Sequence, residues 1–211
     1  MITGIPVSEV LRKSDDPMDQ PNLALIQGVR AHEDEGSIWA LEQVAKRLRK
    51  LFPEIQIADI HLGSYKILSG VSNDPDDTLF SPNDQFPLVK DLIDRSDIIV
   101  WATREKLGFP DANTVRVLER YADLIIQAKK EGLEKPLLKN RPVCAIVHGK
   151  CGAYHAGVSL AGAFNKLGLT VVRHGIACWD EGRGDILKDK GFASNLDSMA
   201  EEIAKLLKVR S

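Results

Sequence analysis

The sequence predicts an α/β domain with a doubly wound, five-stranded parallel sheet and helices on both of its faces. Short apolar runs alternate with longer segments five times along the chain. In the longer segments, apolar residues recur at spacings of three and four, as they do on one face of a helix. Parallel neighbours need crossover connections, which helices usually supply, so this alternation favours a parallel sheet.

The N-terminal half contains the first two predicted strands. Residues Leu23–Ile26 form a continuous apolar run, which is typical of a strand buried on both faces. The helical spacing that begins at Ile38 ends before Pro53, since a residue preceding proline disfavours helix. A second strand covers residues 55–60. Residues 63–84 are rich in Gly, Ser, Asn, Asp and Pro and predict a long loop.

The C-terminal half continues the alternation to a closing helix. Ser194 and Asp197 have capping-box spacing and predict the start of that helix. The predicted elements are a short helix over 88–93, a strand over 97–103, a helix over 115–126, a strand over 143–147, a helix over 160–167, a strand over 170–179 and the closing helix over 196–207.

Length and composition predict one globular domain. The 211 residues are 44% hydrophobic and 27% charged, which excludes collagen, low-complexity disorder and a disulfide miniprotein. Residues 1–21 are irregular and predict an N-terminal extension, which leaves 22–211 as the domain. The net charge of −2 provides no basic field for nucleic acid.

Other features bear on location. No apolar run approaches the roughly 18 residues of a membrane helix, so no membrane span is predicted. The first twenty residues lack a signal-peptide pattern. The three cysteines show no CxxC spacing, which favours a reducing compartment. We therefore expect a cytoplasmic protein.

The predicted sheet directs attention to three loops. In a doubly wound sheet, ligands bind beyond the carboxyl ends of the strands, here at residues 28–37, 103–112 and 148–157. In the first loop, Gly36 and Ser37 begin a helix and Arg30 lies nearby, which would suit a phosphate. The three carboxylates of this loop favour a different interpretation, a solvated loop whose acids stabilise the helix start.

The second and third loops allow several interpretations. Residues 103–110 could line the edge of a planar ligand or form an ordinary salt-bridged loop. In the third loop, Gly149 and Gly152 allow close backbone approach, and Tyr154 could stack on a ring. Cys151 and His155 could instead act as nucleophile and base, or bind a metal together with His148. Cys144, in the middle of an apolar strand, is interpreted as a core residue.

From residue 22 to about 209, the chain resembles the flavodoxin-like flavoproteins, in particular the group of NADPH-dependent FMN reductases and NAD(P)H quinone oxidoreductases. The resemblance lies in the order of its segments and in their pattern of apolar and small polar residues. These segments are Leu25–Arg30 with Gly36-Ser37, Ser96–Thr103, Asn113–Asp123, Pro142–Val147 and Leu167–Val172.

The resemblance implies an FMN-dependent oxidoreductase that passes electrons from NADPH or NADH to a small quinone, flavin, nitro or azo acceptor. It also implies a homodimer or homotetramer. FMN supplies the redox chemistry, so no catalytic side chain is expected. The implied cofactor-binding residues are Arg30, Gly36 and Ser37 at the phosphate, Thr103, Arg104, Lys106, Leu107 and Gly108 at one edge of the ring, and His148, Gly149 and Gly152 at the other edge, where Tyr154 could also stack.

Two alternatives remain open at this stage. Glu33, Asp34 and Glu35 stand where that family has small polar residues, which favours a binding or assembly module with weak or lost FMN binding. The second alternative is a hydrolase that uses Cys151.

Overall fold

A computed structural model describes residues 22–28, 35–68, 83–132, 138 and 140–210. The predicted extension over 1–21, Arg30 and most of the predicted loop over 63–84 lie outside the described residues. The helices and strands of the described residues are β1 Asn22–Gln27, α1 Glu35–Leu51, β2 Gln56–His61, α2 Phe86–Asp94, β3 Ile98–Lys106, β4 Phe109–Pro110, α3 Ala112–Lys130, β5 Pro142–Gly149, α4 Ala153–Lys166, β6 Thr170–Asp180 and α5 Lys190–Arg210.

The sheet confirms the predicted fold class. Five strands run parallel in the order β2-β1-β3-β5-β6, and the two-residue β4 pairs antiparallel with β3 as a sixth strand. Apart from β4, this order is the flavodoxin-like order 2-1-3-4-5. The strand order reverses between β1 and β3. The chain after β1 leads to a helix on one face of the sheet, and the chain after β3 leads to a helix on the other face.

Helices cover both faces of the sheet, and each face has its own apolar core. The first core packs α1 and α5 against residues such as Leu25 and Val100. The second packs α2, α3 and α4 against residues such as Ile26 and Ile99. Because successive strand residues point to opposite faces, the continuous apolar runs of the sequence fill both cores.

The region after Thr103 differs from the loop that the sequence predicts over 103–112. The strand β3 continues to Lys106 and turns through Leu107 and Gly108 into β4. Positive φ angles of 57° and 83° at these two residues are the pattern of a two-residue type I′ hairpin turn. The loop prediction was wrong because Arg104, Glu105 and Lys106 have the polarity of loop residues. In the structure, Arg104 pairs with β5, and Glu105 and Lys106 pair with β4.

The start of α5 also differs from its prediction. This helix begins at Lys190, so Ser194 lies inside its first turns rather than at its cap. The Asp189 carboxylate accepts a hydrogen bond from the Phe192 backbone N–H (2.9 Å) and caps the helix instead. Within the described ranges, no helix has both the length and the apolarity that a membrane span needs.

Candidate functional site

Polar side chains fill the base of the crevice between the carboxyl ends of β1 and β3. Asp111, the N-cap of α3, accepts hydrogen bonds from Thr114 Oγ1 (2.7 Å) and from the Thr103 hydroxyl. A Cβ placed on Gly28 would overlap the Asp111 carboxylate and lie 2.8 Å from its Cγ. Ligands often occupy this crevice in doubly wound sheets. Here the base of the crevice is filled by a hydrogen-bonded cluster that joins β3 to the start of α3.

A second carboxylate fills the space between the β3–β4 hairpin and the end of β5. Glu105 is 4% exposed. Its Oε1 accepts a hydrogen bond from the Gly108 N–H, and its Oε2 accepts one from the Lys150 N–H (3.1 Å). A Cβ on Gly152 would lie 2.7 Å from Glu105 Oε1, and one on Gly149 would overlap the same carboxylate. These two glycines therefore make room for Glu105.

An open cavity of about 510 Å³ lies beside these two clusters, at the same edge of the sheet. It extends from the first turn of α1, past the ends of β5 and β6, to the segment that leads into α5. The lining residues are Glu35, Gly36, Trp39, His148, Trp179, Glu181, Gly184, Asp185, Ile186 and Leu187. Ligand cavities of proteins commonly measure about 300–1,000 Å³, so this one has room for a small organic molecule.

Aromatic rings form one wall of the cavity. The His148 and Trp179 rings lie 5.1 Å apart between centroids at an interplanar angle of 43°. Trp39 packs on Phe192, with ring centroids 6.4 Å apart. A Cβ on Gly36 would lie 2.8 Å from His148 Nδ1, so the imidazole rests directly on the first turn of α1. The face of an aromatic ring can stack on a planar ligand.

Carboxylates surround the cavity, and cations partner two of them. Arg104 Nη2 lies 3.3 Å from Glu181 Oε1, and His148 Nε2 lies 3.9 Å from the same oxygen. The Lys188 ammonium and the Leu187 N–H hold the pKa of Asp185 below its ordinary value. Glu35 is exposed at the first turn of α1. The Arg104–Glu181 pair joins the hairpin strand β3 to the cavity rim.

The two helix starts near the cavity differ in what lies next to them. Ala153 N, at the start of α4, donates to Asp180 Oδ1 (3.0 Å), so a carboxylate of the chain already occupies that helix end. By contrast, the first turn of α1, at Glu35 and Gly36, borders the cavity. The N–H groups of a first helical turn favour an anion. A phosphate at the cavity would therefore meet α1 rather than α4.

The structure separates the twelve predicted site residues into groups. Gly36 and His148 line the cavity, and Arg104 reaches its rim through Glu181. Ser37 is buried beside Gly36. The remaining residues lie elsewhere: Thr103 in the Asp111 cluster, Gly108, Gly149 and Gly152 around Glu105, Lys106, Leu107 and Tyr154 exposed to solvent, and Arg30 outside the described residues.

The sequence analysis missed most of the lining of the cavity. Trp179 lies near the carboxyl end of the fifth parallel strand, β6, and the segment 181–187 follows that strand, whereas only the loops after three other strands were considered. The same rule about carboxyl ends, applied to β6, would have identified them. Glu105 and Asp180 were missed for another reason, since nothing in a sequence marks a carboxylate that will accept a backbone N–H from a distant segment. Asp111 was also missed, although an aspartate directly before a helix is a local N-cap signal.

The alternatives based on Cys151 find no support in the geometry. Among the described residues, no hydrogen bond joins Cys151 to His155, whose ring instead meets Tyr154 edge-on at 6.2 Å. The described part of the chain also contains no group of three or more His, Cys, Asp or Glu side chains placed to hold a metal ion. All three cysteines are free thiols, and Cys144 is buried as expected.

We expect the three thiols to react with an alkylating reagent at pH 8 in a fixed order. Cys151 is exposed and should react first. Burial, aided by the charge of Asp180, raises the pKa of Cys178 to about 11. Only about one in a thousand Cys178 side chains is therefore a thiolate at pH 8. Burial also raises the pKa of Cys144, which should react only after unfolding. Mass spectrometry of the labelled peptides over time measures this order, and early labelling of Cys144 would contradict it.

Comparison with known proteins identifies the fold. No protein-family model matches the chain, and no curated protein matches it. Among solved structures, RosB with a bound 8-demethyl-8-formylriboflavin-5′-phosphate matches with a TM-score of 0.70 and 17% identity over 90% of this chain and 79% of RosB. An NADH:FMN oxidoreductase in its apo form matches with a TM-score of 0.63 and 13% identity over 89% and 90% of the two chains.

A flavone reductase also matches, with a TM-score of 0.63 and 13% identity over 89% of this chain. The chain spans 63% of the length of that reductase. At such identities, the likeness shows a shared flavodoxin-like fold, and the same fold supports many chemistries.

The cavity fits a flavin in three respects. Its volume lies in the range of ligand sites, its His148 and Trp179 rings offer aromatic surface, and the positive end of α1, which favours an anion, borders it. The negative charge of the Glu35 carboxylate would repel a phosphate at that turn. The partnered carboxylates of Glu181 and Asp185 oppose it less, because Arg104 and Lys188 balance their charges.

Proposed function

We propose that this protein is a flavin-dependent oxidoreductase that binds FMN in the cavity between α1 and the ends of β5 and β6. The observation that carries the proposal is this cavity, which lies at the carboxyl edge of a sheet whose fold is shared with flavin oxidoreductases. We further propose that NADH or NADPH is the electron donor and that a small quinone, flavin, nitro or azo compound is the acceptor.

Each part of the chain has a separate task in this proposal. A bound flavin supplies the redox chemistry by accepting a hydride from the nicotinamide. The backbone of Gly36 and Ser37 would hold the phosphate at the positive end of α1. His148 and Trp179 would hold the flat ring system and exclude water from one of its faces. The Arg104–Glu181 pair would fix the rim next to His148.

Titration of the purified protein with FMN tests the proposal. We expect quenching of the flavin fluorescence with a dissociation constant in the micromolar range or below, and roughly fivefold weaker binding of riboflavin, which lacks the phosphate. With FMN bound, the protein should oxidise NADH or NADPH when one of the proposed acceptors is present. A protein that neither binds FMN nor oxidises a nicotinamide would leave the binding or assembly module as the better interpretation.

We expect His148→Ala to weaken FMN binding by about tenfold. The substitution removes a ring from the proposed aromatic wall, and ring stacking contributes about 0.5–1.5 kcal/mol beyond buried area. Tyr154→Ala serves as the comparison, because Tyr154 is 68% exposed and does not line the cavity. If Tyr154→Ala weakens binding and His148→Ala does not, the flavin binds outside the cavity, near the start of α4, and the proposed site is wrong.

We also propose that the chain assembles as a homodimer or homotetramer. Four exposed apolar side chains support this, Leu107 and Phe109 on the hairpin and Tyr154 and Val158 on α4, all at least 53% exposed. Clustered exposed apolar groups commonly mark interaction surfaces. Light scattering after size exclusion should give a multiple of 23.3 kDa, and Phe109→Ser should shift the protein towards monomer. A monomeric wild-type protein would contradict this assignment.

A further inference from the structure

The carboxylate of Glu105 joins two segments that are distant in sequence. One oxygen accepts a hydrogen bond from Gly108 N in the hairpin turn, and the other accepts one from Lys150 N after β5. The side chain is 4% exposed and lies against backbone at Gly149 and Gly152. Hydrogen bonds to an ionised group are among the stronger ones in proteins, and burial strengthens them further.

A second carboxylate holds the same loop from the other side. Asp180, at the end of β6, accepts from Ala153 N (3.0 Å). The loop 149–152 is therefore held between Glu105 of β3 and Asp180 of β6. His148 immediately precedes this loop, rests on Gly36 and contacts the Trp179 ring, so any movement of the loop is transmitted to the cavity wall.

We infer that Glu105 is a positioning residue of the cavity, which sets the place of His148 by holding the hairpin turn and the loop 149–152 together. This inference rests on the proposed function only where it says that Glu105 affects the binding of FMN. Glu105 does not line the cavity, so it acts through the loop rather than by touching a ligand. Replacing its carboxylate with an amide leaves one acceptor oxygen and aims an NH₂ group at the second backbone N–H.

The test compares Glu105→Gln with Glu42→Gln, which removes the same charge from an exposed position on α1. Amide hydrogen exchange is measured at Gly108 and Lys150, and the dissociation constant for FMN and the steady-state kinetics are measured in parallel. In Glu105→Gln we expect exchange at one or both of these amides to be about tenfold faster and FMN to bind about tenfold more weakly. At saturating FMN, kcat should fall by less than about twofold. Glu42→Gln should match the wild type in every readout.

Separate outcomes identify separate failures. Unchanged exchange at both amides would overturn the inference whether or not FMN binds. Faster exchange with unchanged FMN affinity would reduce Glu105 to a stabilising role and overturn its positioning role. If the wild type does not bind FMN, the proposed function fails, and the exchange comparison still decides whether Glu105 holds the loop. Should Glu105→Gln not fold, Glu105→Asp, which keeps the charge on a shorter stem, is compared in the same way.

Discussion

Gly28→Ala is expected to lower the free energy of unfolding by about 3 kcal/mol. The new methyl group would overlap both the Asp111 carboxylate and the Thr114 hydroxyl. Neither group can move away at low cost, since Asp111 caps α3 through the N–H groups of Asn113 and Thr114 (2.9 and 3.1 Å). The melting temperature should fall by roughly 6–12 °C, as measured by thermal denaturation followed by circular dichroism.

Gly162→Ala is the control for this substitution. Gly162 lies on α4 with no atom near the position that a Cβ would take, so alanine should stabilise the protein by about 0.5–1 kcal/mol through helix propensity alone. Opposite signs at the two glycines would show that packing, not loss of glycine as such, decides the outcome. A loss below about 1 kcal/mol at Gly28 would mean that the Asp111 cluster can rearrange.

Asp84→Ala should lower the free energy of unfolding by about 3–5 kcal/mol. Asp84 Oδ2 lies 2.7 Å from Arg120 Nη2, and both side chains are less than 5% exposed. Asp84 also accepts hydrogen bonds from the backbone N–H groups of Leu68 and Phe86 (3.2 and 3.1 Å). Removing the carboxylate leaves the buried Arg120 charge without this partner and two backbone donors without their acceptor. Urea denaturation measures the change.

The exposed pair between Asp91 and Arg95 on α2 provides the comparison. Both of its side chains are about half exposed, so Asp91→Ala should cost no more than about 0.5 kcal/mol. The double variant Asp84→Ala with Arg120→Met should be more stable than Asp84→Ala alone, because methionine removes the buried charge that has lost its carboxylate partner. If the double variant is no more stable, the loss at Asp84 comes from the backbone hydrogen bonds at Leu68 and Phe86.

The sequence could predict the fold because its signals are local. The run Leu23–Ile26 alternates between the two cores, with Leu23 and Leu25 in one and Ala24 and Ile26 in the other. A strand that is apolar at every position can only lie between two covered faces. Helix α1 likewise buries the positions that its three- and four-residue spacing predicts, including Leu41 and Leu48.

The same local rules failed at two places, the polar run around Glu105 and the start of α5. Glu105 reads as one charge in a polar run, yet it is buried because the backbone at Gly149 and Gly152 leaves room for it and Lys150 donates to it. Ser194 and Asp197 have the spacing of a capping box, yet Asp189, five residues before Ser194, caps the helix in the described structure. In the first place a distant contact determined the structure, and in the second a competing local cap did.

The sequence by itself determined the layers of the protein, because hydrophobic periodicity depends only on neighbouring residues and on which face each side chain must bury. It also indicated the edge of the sheet at which a ligand would bind. Only the tertiary structure decided where along that edge an open cavity lies. Asp111 and Glu105 occupy the spaces beside β1 and β3. His148, Trp179 and the first turn of α1 instead line an open cavity. Such an outcome depends on side-chain volumes and hydrogen bonds between segments that are tens of residues apart, which no local pattern records.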